Sequence, residues 1–111
     1  MIRVTIRRKP DRSIAGFSIE GHADYAPHGE DIVCAGVSAV SVGAANAIEV
    51  LTGVELECEM KDGFLSGTVP FIERKDIEAQ VQLLLESMII GLQSIEASYE
   101  SYLQIEELMT T

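Results

Sequence analysis

The stretch from Ile32 to Leu51 constrains this chain more than any other segment. It carries one charge, Glu49, and is built mostly from Ala, Val, Gly and Ser. Its length passes for a membrane span, but Asn46 and Glu49 interrupt it and no Lys or Arg flanks it. A helix in the core of a soluble protein fits better. Asp31 supplies an N-cap before it, and the helix runs to about Thr52, where Gly53 stops it. A chain of 111 residues builds one domain around one core. A helix apolar nearly all round is then central and buried on several sides.

Both flanks of this helix read as strands. Ile2 to Lys9 alternates apolar and polar residues. Pro10-Asp11-Arg12-Ser13 is a turn cluster, and Ile14, Phe17 and Ile19 carry a second strand up to Gly21. Beyond the helix, Val54, Leu56, Cys58 and Met60 alternate with Glu55, Glu57, Glu59 and Lys61. Asp62-Gly63 is a hairpin turn, Phe64 to Val69 the return strand, and Pro70 its end. Cys58 falls on the apolar face and is expected in the core.

From about Glu73 a second helix begins, with Ile77, Val81, Leu84, Leu85, Met88, Leu92, Ile95, Tyr99 and Tyr102 on one stripe. Unbroken to about Glu107, it would be roughly 50 Å long. A domain of this size has a radius of gyration of only about 13 Å. The helix therefore bends near Gly91, or projects and meets another surface, for which a homodimer is the economical solution. The order β-β-α-β-β-α predicts an α+β fold: two hairpins in one sheet, a buried central helix and a long C-terminal helix.

The chemistry concentrates just before the first helix. With Asp31 as N-cap, Cys34 is the third helical residue, where free N–H groups and the helix dipole favour a thiolate. His22 stands twelve positions earlier, across a loop that must turn the chain back into the helix, and histidine is the usual base for a thiol. Cys34 is equally consistent with a small buried hydrophobe, and His22 with a surface residue at a strand end. Asp31 caps the helix or orients His22. Ser38, one turn beyond Cys34, faces the same side and either bonds the thiolate or substrate or bonds its own backbone. Gly21 and Gly29 bracket the loop and give it freedom. Backbone N–H groups at the helix start are the expected oxyanion donors, and the Tyr25–Glu30 segment reads as a lid. His22, Asp24, His28 and Cys34 match no standard zinc spacing, so no metal or other cofactor is expected.

Charge bears on partners. The net charge of −10 argues against nucleic acid and favours a basic partner, unless it serves solubility alone. Two cysteines are too few for a disulfide scaffold, and the chain starts in a strand pattern without a basic-then-apolar leader. A cytoplasmic protein is expected, with no membrane partner.

Gly21-His22-Ala23, a loop reaching Gly29, and then Asp31-Ile32-Val33-Cys34-Ala35-Gly36-Val37-Ser38-Ala39 resemble the ribosomal-processing cysteine protease Prp family. The likeness extends along the whole chain, and Gly36 stands where that pattern often has alanine. It implies a homodimeric cysteine endopeptidase with Cys34 as nucleophile and His22 as base. Its substrate would be a ribosomal protein precursor peptide: the N-terminal extension of the large-subunit protein numbered twenty-seven. The competing expectation is a non-catalytic acidic module that binds a basic ribosomal protein.

Overall fold

The computed structural model describes residues 1–110. The chain runs β1 (Ile2–Arg8), β2 (Ile14–Glu20), α1 (Ile32–Thr52), β3 (Glu57–Lys61), β4 (Phe64–Thr68), α2 (Lys75–Ser98) and β5 (Leu103–Met109). The five strands form one sheet in the order β3-β4-β2-β1-β5. All neighbours are antiparallel except β1 and β5, which run parallel with Ile2 opposite Leu103. The α+β fold with two hairpins is as the sequence predicts.

The C-terminal segment departs from expectation. The second helix runs unbroken through Gly91 but does not reach Glu107; it ends at Ser98. Tyr99–Tyr102 forms a turn, in which the Tyr102 N–H donates to the Tyr99 carbonyl at 2.9 Å, and the chain then joins the sheet. Leu103 is fully buried there. The Glu96 carboxylate of α2 accepts the Ile105 N–H at 2.8 Å and so covers part of the edge that β5 would expose.

Local signals predict the rest well. Asp31 caps α1 by accepting from the Val33 and Cys34 N–H groups, and Gly53 closes it in the left-handed region at φ 78°. Burial of α1 is narrower than its composition suggests: Val33, Val37, Ser41 and Ile48 form one buried stripe, while Ile32, Val50 and Leu51 face outward. The core lies between the sheet and the two helices, where Val4, Ile6, Ile14 and Phe17 meet Val81, Leu85 and Leu92. Each such aliphatic side chain contributes roughly 2 kcal/mol when fully buried. β3 lies at the free edge of the sheet, and all five of its residues are exposed. Cys58 is therefore exposed and not in the core.

Candidate active site

Sheet pairing sets the position of His22. β2 pairs with β4 so that Glu20 faces Phe64, and the Gly21 N–H donates to the Gly63 carbonyl at 2.9 Å. The chain leaving β2 is thereby tied to the tip of the β3–β4 hairpin. Gly21 has φ +93°, and a Cβ there would lie 2.5 Å from the Met1 carbonyl oxygen, so both conformation and space require glycine. The His22 ring lies against Gly63: a Cβ added to Gly63 would sit 2.8 Å from His22 Nε2. One residue on, the buried Ala23 donates its N–H to Cys34 Sγ at 3.4 Å. The loop thus passes directly beside the sulfur.

Asp31 closes the other end of the loop. Its Oδ1 accepts from the N–H groups of Val33 at 3.0 Å and Cys34 at 3.1 Å. Its Oδ2 accepts from Tyr25 at 2.9 Å and Ala26 at 3.3 Å. Burial alone would push this carboxyl up. The N–H groups of Cys34, Ala26, Tyr25 and Val33 outweigh it and hold Asp31 below the usual carboxylate range. Both oxygens are committed to backbone donors, so the cap and the loop tether are the roles its geometry serves. Between its two ends the loop folds on itself, with the Glu30 N–H donating to the Pro27 carbonyl at 2.9 Å.

His22, Asp31, Cys34 and Ser38 line one open cleft of about 580 Å³, with Gly21, His28 and Gly29 at its loop side. The far wall comes from the β3–β4 hairpin, where Met60, Gly63 and Leu65 face α1. The half-buried Cys34 is thus reachable from solvent at the start of α1. Cys58 is a poor rival. Desolvation, followed by the charges of Glu55 and Glu49, pushes its thiol up. Among the described residues, no His, Cys, Asp and Glu side chains gather into a metal-binding group.

One expectation about the chemistry changes. The N–H groups of Val33 and Cys34 are occupied by the Asp31 carboxylate, and the Ala35 N–H donates to the Asp31 carbonyl at 3.0 Å. The first turn of α1 therefore has those donors already engaged. The N–H aimed at the sulfur is Ala23's, from the loop.

The comparisons with known proteins agree over almost the whole chain. A family described as cysteine protease Prp matches residues 1–104. The chain belongs to this family. The ribosomal processing cysteine protease Prp of Bacillus subtilis is 42% identical over 107 residues, covering 95% of this chain and 96% of that protein. Its counterpart in Staphylococcus aureus is 34% identical over 105 residues, covering 95% and 97%. A crystal structure of the S. aureus protease in complex with a covalently linked product peptide superposes with TM-score 0.88 at 32% identity, covering 97% of this chain and all of that one. Family membership makes the chain a cysteine protease and removes the non-catalytic module from consideration.

Two features near the site depend on non-local contact and are not legible in the sequence. Asp62-Gly63 is legible as a turn, but its contact with His22 depends on the non-local pairing of β2 with β4. The second feature is an aromatic cluster in which Tyr25 meets Tyr99 and Tyr102. The apolar stripe that includes Tyr99 and Tyr102 was its only sequence signal.

Proposed function

We propose that the chain is a cytoplasmic, homodimeric endopeptidase that trims the N-terminal extension of a ribosomal protein precursor, the large-subunit protein numbered twenty-seven. The observation that carries this reading is Cys34 Sγ at the start of α1, in the same open cleft as His22 and touched by the loop that bears it. The net charge of −10 suits the basic N-terminus of a ribosomal protein. Two free cysteines, one of them exposed, suit a reducing compartment. The outward apolar residues Ile32, Val50 and Leu51 on α1 suit a second copy.

In this mechanism the peptide settles between α1 and the β3–β4 hairpin, and His22 comes to within about 3 Å of the sulfur. The Cys34 thiol proton passes to the imidazole, and the thiolate attacks the scissile carbonyl to form a C–S bond. The Ala23 N–H, already directed at the sulfur, meets the developing oxyanion. His22 returns its proton to the leaving amine as the C–N bond breaks. Water, deprotonated by His22, then attacks the thioester carbonyl; the C–S bond breaks, the carboxylic acid leaves, and the Cys34 thiolate recovers its proton from the imidazolium. Asp31 keeps the loop and the helix start together throughout.

The test is incubation of the purified protein with that precursor. Wild type should shorten it, and Cys34→Ala and His22→Ala should each lower kcat/KM by at least about a hundredfold while their circular dichroism stays native. Cleavage by a folded Cys34→Ala variant at the wild-type rate would refute the nucleophile assignment.

A further inference from the structure

All three tyrosines of the chain converge at one corner of the molecule. Tyr25 belongs to the loop between β2 and α1, Tyr99 follows α2, and Tyr102 precedes β5. The Tyr25 ring meets Tyr99 edge-on, with centroids 5.6 Å apart and planes at 90°, and meets Tyr102 at 5.1 Å and 76°. Both are favourable aromatic geometries. The Tyr99–Tyr102 turn is firmly held: the Tyr99 N–H donates to the Ile95 carbonyl, and the Tyr102 carbonyl accepts the Ile2 N–H at 2.9 Å. It is a fixed body against which a loop residue can rest.

Burial does not explain a tyrosine at this position. Tyr25 is 43% exposed, and among the described residues its hydroxyl makes no hydrogen bond. Its backbone has a clear connection. The Tyr25 N–H donates to Asp31 Oδ2, and Asp31 Oδ1 accepts the Cys34 N–H. A chain of direct contacts therefore runs from the α2–β5 corner, through the Tyr25 ring and the Asp31 carboxylate, to the backbone of Cys34. His22 and Ala23 lie within the segment held between β2 and Tyr25.

We propose that Tyr25 is a positioning residue: its ring, docked on Tyr99 and Tyr102, anchors the loop that carries His22 and Ala23, leaving the Pro27–Glu30 turn as the part that adjusts to a bound peptide. The loop is thus a short flap hinged between two fixed points, Tyr25 and Asp31. Anchoring reduces the disorder that must be lost when peptide binds. Its removal therefore appears in KM, with little effect on kcat once peptide is bound.

The inference rests on Cys34 being the nucleophile, which Cys34→Ala tests independently. Tyr25→Ala, Tyr25→Phe and Tyr102→Leu are compared with wild type for cleavage of the ribosomal precursor and for thermal stability. Tyr25→Ala should raise KM about tenfold, the scale of two lost aromatic contacts, with kcat within about twofold. Tyr25→Phe keeps the ring and should behave as wild type. A folded Tyr25→Ala with unchanged KM overturns the proposal, as does a Tyr25→Phe as impaired as Tyr25→Ala. If Tyr25→Ala does not fold, Tyr102→Leu decides: it removes the nearer ring, and an unchanged KM there also overturns the proposal. A purely structural role would lower the melting temperature without separating KM from kcat.

Discussion

At the scale of single residues, Asp31 does the most with the fewest atoms. It caps α1 and pins the loop with one carboxylate, and that economy makes the site sensitive to acid. Its carboxyl sits below the usual range despite burial, because four backbone N–H groups point at its charge. A folded-state pKa below the unfolded value, about 3.9, adds stability above roughly pH 4 that is lost as pH falls through the folded value. Asp31→Asn retains a capping oxygen but not the charge. The variant should melt on the order of 5 °C below wild type at pH 7. Its melting temperature should also decline less steeply than that of wild type below about pH 4. Scanning calorimetry across pH 2.5 to 7 reads both, and parallel curves for the two proteins would contradict the assignment.

At the scale of elements, the tip of the β3–β4 hairpin matters because β2 and β4 are paired. That pairing brings Gly63 against the His22 ring, at φ +70° and with 2.8 Å between a built Cβ and Nε2. Gly53 offers a matched control: φ is +78°, and nothing lies within 4 Å of its built Cβ. Alanine at either position should cost about 1 kcal/mol from left-handed backbone strain, read by urea denaturation. Only Gly63→Ala should also displace the imidazole and lower kcat/KM by about 10- to 100-fold. Equal activity in the two variants would show that this contact does not place the base. The Asp31 cap, the Gly53 stop and the Asp62-Gly63 turn are local signals, and each appears where the residues put it. β5 is not legible locally, because its strand state depends on pairing with β1 across the whole chain, while Tyr99 and Tyr102 extend a helical stripe without a Gly or Pro to end it. The exposure of Cys58 escapes the sequence pattern for a related reason. Alternation identifies the face of a strand, but not whether helices extend far enough to cover it, and β3 lies at the open edge. At the site, the loop that turns the chain from His22 back into α1 is legible in the sequence, whereas the shared cleft of His22 and Cys34, the occupied first-turn donors and the tyrosine corner arise only from three-dimensional contact.

At the scale of the whole molecule, net charge and apolar surface act in opposite directions on two kinds of association. Each chain carries −10, so two copies repel, yet α1 turns Ile32, Val50 and Leu51 outward at 55, 81 and 70% exposure. A homodimer joined through that face would be driven by apolar burial and opposed by charge. A basic precursor would instead be attracted by the same charge. Raising salt from about 0.1 to 1 M shortens the screening length from about 10 to about 3 Å. Such a dimer should therefore tighten over that range, while KM for the proposed precursor rises. Analytical ultracentrifugation and cleavage kinetics in the same buffers measure the two trends. Val50→Glu with Leu51→Glu adds charge at two exposed positions in the last turn of α1, and should leave a folded monomer at concentrations where a dimer joined there would form. A dimer that weakens with salt, or that survives the double substitution, would locate the interface elsewhere on the molecule. A KM indifferent to salt would detach substrate choice from the acidic surface and leave it to the cleft between α1 and the β3–β4 hairpin.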